Sequence, residues 1–188
     1  MAQQVAAQRA AVRGLDEVTK SGHQIGRVWS GKSKSIMLNE HQITDKITIG
    51  GRPDAAEIES LHTRGFKTVV NLLTEEEMGG SHEEQLVEDT GMTYAAIPTS
   101  PVLLDDIAID RFRQAIASSD GPVAIHCKSG GRAGTLTLLH LAVEGGWNLT
   151  RADAEGEKLG LKIGADSPYR AFFETYIRHH SAGERTAD

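Results

Sequence analysis

Apolar and polar residues alternate with strand spacing in some segments of this chain and with helix spacing in others. In ITDKITIGG, residues 43–51, alternating apolar residues predict a strand that ends in a glycine turn. Asp54, followed three positions later by Glu57, has the pattern of a capping box and predicts a helix over 55–64. FKTVVNLL, residues 66–73, is an almost continuous apolar run, which is typical of a strand buried on both faces.

The second half of the chain continues this alternation. MTYAAI, residues 92–97, predicts another strand, and apolar residues between 107 and 116 recur at helical spacing. PVAIHC, residues 122–127, predicts a short buried strand that is followed by a helix over 132–143. Such alternation indicates an α/β domain with a mainly parallel central sheet and helices on both faces. Ligands bind such sheets at the carboxyl ends of the strands, and Cys127 lies at one of these ends.

The length of 188 residues fits one compact domain with terminal extensions. The first forty residues are less regular in pattern than the rest, and we interpret residues 1–40 as an N-terminal arm. Residues 41–182 are then the folded domain, and residues 183–188 are a C-terminal tail. An arm of this kind offers a route to a homo-oligomer, because it can pack on a neighbouring subunit.

Composition narrows the classes of partner. The net charge of −6 argues against nucleic-acid binding, which requires a basic surface. No apolar run approaches the roughly 18 residues of a membrane span, and no apolar stretch near the start resembles a secretory signal. With a single cysteine, no internal disulfide can form. These features predict a cytoplasmic protein without a membrane span.

The most informative segment is HCKSGGRAG, residues 126–134, which contains that single cysteine. Thiolates form where helix N-termini, exposed amide N–H groups and cationic side chains stabilise negative charge. Gly130 and Gly131 allow the backbone to curl so that its N–H groups point inward, as in an anion nest. The planar guanidinium of Arg132 can hold two oxygens of an oxyanion at once. We therefore predict a site for a tetrahedral oxyanion beside Cys127.

His-Cys-x-x-Gly-x-Arg resembles the phosphate-binding loop of the cysteine-dependent protein tyrosine and dual-specificity phosphatases, with one residue fewer between Cys and Arg. A bacterial beta-lactamase-hydrolase-like branch of that superfamily has this shorter Cys-x4-Arg loop. The upstream segment that includes GGRPDAAEIESLHTRGFKTVVNLL is also similar to that branch. The resemblance covers residues 42–143, and it implies a three-layer, dual-specificity-phosphatase-like fold for residues 41–182.

The resemblance implies a hydrolase that acts on a phosphorylated protein or small molecule through a cysteinyl-phosphate intermediate, without a metal or cofactor. Cys127 would be the nucleophile, Arg132 would bind the phosphoryl oxygens, and His126 would orient the loop. The substrate would also contact the amides of the remaining loop residues: Lys128, Ser129, Gly130, Gly131 and Ala133.

This sequence matches the superfamily less well at two positions: the general acid and the hydroxyl residue that follows the loop arginine. The superfamily takes a proton donor from a separate loop, and TSPVLLDD offers Asp105 and Asp106 there. We select Asp105 as the catalytic residue, although both aspartates are equally suited to capping the next helix. The acidic run at 75–77 is interpreted as a solvated loop at the site edge. Ala133 replaces the usual Ser or Thr, which predicts slow breakdown of the intermediate.

Two other functions fit the same residues. Cys-x-x-Gly-x-Arg also resembles the persulfide loop of rhodanese-type sulfurtransferases, in which Cys127 would carry sulfur rather than phosphate. The GGRPD turn and the VVNLL strand favour the phosphatases over that alternative. The third alternative is a non-catalytic phosphate-binding pseudophosphatase, which the missing hydroxyl and the two roles open to Asp105 would allow.

Overall fold

The computed structural model describes residues 37–180 of the chain. Residues 1–36 of the predicted arm and the predicted tail at 183–188 therefore lie outside the described residues. The last part of that arm packs on the domain, because Met37 is 1% exposed and lies against Gly50. A Cβ atom at Gly50 would lie 2.7 Å from Cβ of Met37, so this contact requires a glycine.

The described residues contain a five-stranded sheet with the strand order β1-β2-β5-β3-β4. Only β1 and β2 pair antiparallel, and the other three pairs are parallel. The strands are short and are β1 (His41–Gln42), β2 (Ile47–Gly50), β3 (Thr68–Asn71), β4 (Thr93–Ala96) and β5 (Val123–His126). The three inner strands are buried along their whole length, as the continuous apolar pattern predicts.

The helices of the described residues are α1 (Ala55–Thr63), α2 (Glu75–Met78), α3 (Glu83–Asp89), α4 (Asp106–Ser118), α5 (Gly131–Gly145), α6 (Leu149–Lys158) and α7 (Arg170–His180). Two separate apolar clusters cover the two faces of the sheet. Val69 and Ala124 face a cluster that contains residues of α1 and α3. Val70 and Ile125 face a larger cluster with residues of α4 to α7. The three-layer α/β prediction is confirmed.

Local signals account for most helix boundaries. Asp54 caps α1 in a complete capping box with Glu57, as the sequence predicts. Gly146, at φ 60°, ends α5 in the left-handed conformation that favours glycine. Within α4, Ile109, Phe112 and Ile116 are buried. No helix in residues 37–180 is long and apolar enough to cross a membrane.

Candidate active site

Cys127 begins the loop between β5 and α5, at the carboxyl end of a central strand. Its side chain is buried, and its N–H donates to the carbonyl of Gly50 at 3.3 Å. The N–H of Gly130 donates to Sγ of Cys127 at 3.2 Å. An amide hydrogen aimed at sulfur is one of the contacts that stabilise negative charge there. One amide of the loop therefore donates to the sulfur.

Gly130 gives this loop its shape. Its φ of 98° lies in the left-handed region, where a side chain would be strained. The first bond of α5 runs from the N–H of Gly134 to the carbonyl of Gly130 at 2.9 Å. The amides of residues 131–133 therefore have no acceptor within the helix. Together with the N–H of Gly130 they provide the donors that a helix N-terminus offers to an anion.

The outer side of the loop is held by the segment that enters the domain. Gly51 and Ser129 form an isolated antiparallel bridge, and the N–H of Gly51 donates to the carbonyl of Leu38 at 2.6 Å. Nδ2 of Asn39 donates to the carbonyl of Ser129 at 3.1 Å. The side chains of Lys128 and Ser129 are exposed. The backbone of the loop is thus fixed while its outward side chains face solvent.

The guanidinium of Arg132 is held by a carboxylate and two carbonyl groups. Nη1 donates to Oε2 of Glu77 at 2.8 Å, and Nη2 donates to Oε1 of Glu77 at 2.6 Å. Nη1 also contacts the carbonyl of Thr99 at 2.7 Å and that of Leu72 at 3.2 Å. The hydrogen bond to Glu77 raises the pKa of Arg132, so this cation stays charged.

These contacts leave one edge of the guanidinium available. Arginine has five N–H donors, and those of Nη1 and one of Nη2 are directed at the acceptors above. Within residues 37–180, no acceptor is hydrogen-bonded to Nε. Nε and the second hydrogen of Nη2 form a parallel pair that matches two oxygens of a phosphate or sulfate. The carboxylate of Glu77 therefore orients Arg132 and leaves the N–H donors of the Nε edge available.

The interpretation of residues 75–77 as a solvated loop is wrong. These residues begin the short helix α2, in which Thr74 and Glu77 form a complete capping box. Oε2 of Glu77 accepts from the N–H of Thr74 at 3.0 Å as well as from Arg132. The spacing Thr-x-x-Glu was the signal in the sequence for this helix. Nothing local in the sequence pairs Glu77 with Arg132, which is 55 residues away.

His126 lies under the loop in a buried pair. Its Nε2 is 2.7 Å from Oε1 of Glu83, and the two side chains are 0% and 2% exposed. These two atoms share one buried hydrogen bond. The predicted role of His126 as a structural residue agrees with this burial, whereas Glu83 was not selected from the sequence.

The structure places Asp105 at the N-terminus of α4. Oδ1 of Asp105 accepts from the N–H of Ala108 at 2.7 Å, so this residue caps the helix. Asp106 is the first residue of α4 and is exposed. The loop before them contacts the site through the carbonyl of Thr99, which accepts from Arg132. The role of Asp105 as a proton donor stays a prediction, since capping occupies only one of its oxygens.

Tyr169 adds an aromatic side chain from the C-terminal part of the domain. Burial raises the pKa of this half-buried tyrosine. Arg132 lowers that pKa, whereas Cys127 and Glu77 raise it further, so its phenol lies within electrostatic range of all three groups. Tyr169 therefore borders the site. Tyr169 also packs against the larger apolar cluster, in line with the core or surface role that the sequence favoured for it.

The chemistry of the site follows from its donors. No group of three or more His, Cys, Asp or Glu side chains that could hold a metal ion occurs in the described part of the chain. The loop instead provides backbone amides, one oriented guanidinium and one sulfur atom. These are groups that bind a tetrahedral oxyanion and can attack its central atom.

A parallel sheet between helical layers, with this cysteine–arginine loop at the end of a central strand, is the arrangement that the resemblance to the cysteine-dependent phosphatases implies. The chain belongs to the family described as beta-lactamase hydrolase-like protein, phosphatase-like domain, whose model matches residues 40–144. The resemblance stated from the sequence is confirmed, including the branch to which it pointed.

Curated relatives carry the same description over a longer chain. The beta-lactamase hydrolase-like protein of Agrobacterium fabrum is 36% identical over 126 residues, which are 65% of this chain and 28% of that protein. The protein of the same name from Xylella fastidiosa is 29% identical over 126 residues, or 65% and 29% of the two chains. This chain therefore spans less than a third of the length of these relatives.

Solved structures share the fold at low identity. The core catalytic domain of the PP-IP phosphatase SIW14 from S. cerevisiae has a TM-score of 0.60 and 21% identity, covering 81% of this chain and 91% of that one. TpbA from P. aeruginosa, in complex with phosphotyrosine, has a TM-score of 0.58 and 21% identity, covering 82% and 91%. At this identity the likeness establishes the three-layer fold.

Proposed function

We propose that this domain is a cysteine-dependent phosphatase that hydrolyses phosphate monoesters through a cysteinyl-phosphate intermediate at Cys127. The observation that carries the proposal is the contact of a loop amide with the sulfur of Cys127. The N–H of Gly130 points at Sγ at 3.2 Å, while Glu77 leaves the Nε edge of Arg132 available.

In the first step, Sγ of Cys127 attacks phosphorus, a sulfur–phosphorus bond forms, and the bond to the leaving oxygen breaks. Arg132 and the amides of residues 128–133 bind the equatorial oxygens as negative charge spreads over them. These amides belong to Lys128, Ser129, Gly130, Gly131, Arg132 and Ala133. The geometry supports transition-state stabilisation by groups that are already in place.

The leaving oxygen requires a proton, and Asp105 is the proposed donor through the oxygen that does not cap α4. In the second step, water attacks phosphorus, inorganic phosphate leaves, and the electrons of the sulfur–phosphorus bond return to Cys127. Ala133 provides no hydroxyl to assist this departure, and it is buried. The hydroxyl of Thr135 donates to the carbonyl of Gly131 at 3.1 Å within the helix. We therefore propose that breakdown of the intermediate is slow.

Two substrate classes are suggested by the structural neighbours. TpbA is in complex with phosphotyrosine, and SIW14 is a PP-IP phosphatase. Tyr169, at the border of this site, is suited to pack against an aromatic leaving group. We propose aryl phosphates, with phosphotyrosine among them, as the first substrates to assay. The activity of any longer protein that contains this domain is a separate proposal.

The sulfurtransferase alternative predicts a different product from the same loop. The wild-type protein and Cys127→Ser are incubated with p-nitrophenyl phosphate and, separately, with thiosulfate plus cyanide. We expect phosphate release that is abolished by Cys127→Ser. Thiocyanate release that depends on Cys127, without phosphate release, would replace the phosphatase by a persulfide enzyme. Binding of phosphotyrosine with no release over hours would support the pseudophosphatase instead.

A further inference from the structure

The buried pair of Glu83 and His126 lies at a junction under the loop. Glu83 is the first residue of α3, and His126 is the last residue of β5, immediately before Cys127. The carbonyl of His126 accepts from the N–H of Leu72 at 3.0 Å. The carbonyl of Leu72 in turn accepts from Nη1 of Arg132 at 3.2 Å. His126 therefore links two parts of the site. It precedes Cys127 in the chain, and its carbonyl holds Leu72, whose own carbonyl contacts Arg132.

Other polar groups surround this pair. Asn71, which pairs with His126 between β3 and β5, donates from Nδ2 to the hydroxyl of Tyr94 at 2.7 Å. Burial, together with Glu83 and Glu84, raises the pKa of Tyr94 to about 12, so this phenol is neutral and faces acidic groups. On the opposite side, Nε of Arg52 lies 3.8 Å from Oε2 of Glu83.

Stability alone gives little reason for such a pair. Removing a carboxylate from water carries a large desolvation cost, and an apolar pair of similar volume is commonly as stable or more stable. A buried hydrogen bond does fix direction, because a shift of either partner leaves a polar atom without its contact. Here the hydrogen bond fixes the orientation of the end of β5, and Cys127 follows directly after that end.

We propose that Glu83 is a positioning residue for the cysteine loop. Its hydrogen bond to Nε2 fixes His126, and through the backbone of His126 it fixes both Cys127 and the Leu72 carbonyl that contacts Arg132. The effect depends on an acceptor at the right distance and not on the charge of the carboxylate. The kinetic part of this inference rests on the proposed phosphatase function, whereas the thiol reactivity of Cys127 does not.

Two matched variants separate distance from charge. Glu83→Gln keeps an acceptor oxygen at the same distance and removes the charge, whereas Glu83→Asp keeps the charge and shortens the side chain by one methylene. For p-nitrophenyl phosphate we expect Glu83→Asp to lower kcat roughly tenfold to a hundredfold, as misplacement of reacting groups does, with a smaller change in KM. We expect Glu83→Gln to keep most of the wild-type kcat.

Alkylation by iodoacetamide provides a second readout, because Cys127 is the single cysteine of the chain. We expect slower alkylation in Glu83→Asp, where Gly130 no longer aims at sulfur, and a wild-type rate in Glu83→Gln. Glu83→Asp with wild-type kcat and alkylation would overturn the inference, as would equal losses in the two variants. If the wild type releases no phosphate, the proposed function fails and alkylation alone decides this inference.

A third variant covers the case in which Glu83→Asp does not fold. The double replacement Glu83→Met with His126→Leu substitutes an apolar pair, which we expect to fold with at least wild-type stability. The positioning role predicts a folded protein with reduced kcat and slower alkylation of Cys127. Wild-type values of both in this folded variant would assign the pair a structural role only and overturn the inference.

Discussion

The carboxylate of Glu77 holds the guanidinium of Arg132 by two hydrogen bonds of 2.6 and 2.8 Å. Glu77 belongs to α2, a helix of four residues, and Arg132 is the second residue of α5. The pair therefore links α2 to the start of α5, two segments that are far apart in the sequence. It also leaves Nε of Arg132 without a hydrogen-bonded acceptor in residues 37–180, so Glu77 is the residue through which the orientation of Arg132 can be tested.

The substitution Glu77→Gln tests this orientation. The amide side chain would keep one acceptor oxygen but lose the bidentate geometry, so Arg132 can rotate away from the oxyanion. We expect kcat/KM for p-nitrophenyl phosphate to fall roughly tenfold to a hundredfold. Glu76→Gln is the matched control, because Glu76 lies on the same helix and is exposed. Equal activity of the two variants would contradict an orienting role for Glu77.

The same pair predicts how stability changes with pH. The hydrogen bond with Arg132 lowers the pKa of Glu77 from 4.5 to about 2. A carboxyl whose pKa is lower in the folded state stabilises the fold above its unfolded pKa, and this contribution disappears as the pH falls through the folded pKa. We therefore expect Glu77 to contribute fully above about pH 4.5 and progressively less down to about pH 2.

Urea unfolding of the wild type and Glu77→Gln across that window measures the contribution. The difference in unfolding free energy between the two proteins should shrink as the pH falls. Glu77 is partly exposed, so solvent screening makes this difference small. A difference that stays constant through the window would show that the carboxylate does not stabilise the folded state through Arg132.

Much of the fold could be predicted from local patterns. The buried strands β3 and β5 are continuous apolar runs, and the capping box of Asp54 and Glu57 marks the start of α1. Gly130 and Gly146 both adopt the positive φ that glycine permits. These features depend on residues that are neighbours in the sequence, which is why their pattern is visible without the structure.

The supports of the site could not be predicted in this way. Glu83 and His126 are 43 residues apart, and Glu77 and Arg132 are 55 apart. Their pairing follows from the order in which the strands assemble and not from any local spacing. Acidic residues are common at helix starts because their negative charge interacts favourably with the helix dipole. Neither Glu77 nor Glu83 was therefore distinctive in the sequence. The nucleophile and its loop were distinctive because glycine, cysteine and arginine occur together.

Replacing Gly130 by Ala tests the shape of the loop. At a φ of 98° an L-residue is strained, and we expect a loss of about 1–2 kcal/mol in unfolding free energy. Gly131→Ala is the control for stability, because Gly131 lies outside the left-handed region and has open space around its Cβ position. Both are measured by urea unfolding. Equal stability of the two variants would show that the loop relaxes around the added methyl group.

Replacement of Asp105 by Asn and by Ala separates its two possible roles, helix capping and proton donation. Asn is as good a helix N-cap as Asp but cannot donate a carboxyl proton, whereas Ala loses the cap as well. We expect Asp105→Asn to melt like the wild type, and Asp105→Ala to lose about 1 kcal/mol of unfolding free energy. If Asp105 is the acid, Asp105→Asn should lower kcat/KM for phenyl phosphate, which reports phosphoryl transfer to Cys127, roughly a hundredfold or more. The effect on p-nitrophenyl phosphate should be smaller, because its leaving group needs no proton.

The control for this comparison is Asp106→Asn, since Asp106 is the adjacent exposed aspartate of α4. Two outcomes would reassign the proton donor. Wild-type kcat/KM of Asp105→Asn on both esters would leave Asp105 with capping alone, because its Oδ1 bond to Ala108 survives in the amide. If instead Asp106→Asn loses activity on phenyl phosphate but not on p-nitrophenyl phosphate, Asp106 would be the proton donor. Because capping and proton donation use different chemical properties of one side chain, a single Asp-to-Asn change distinguishes them.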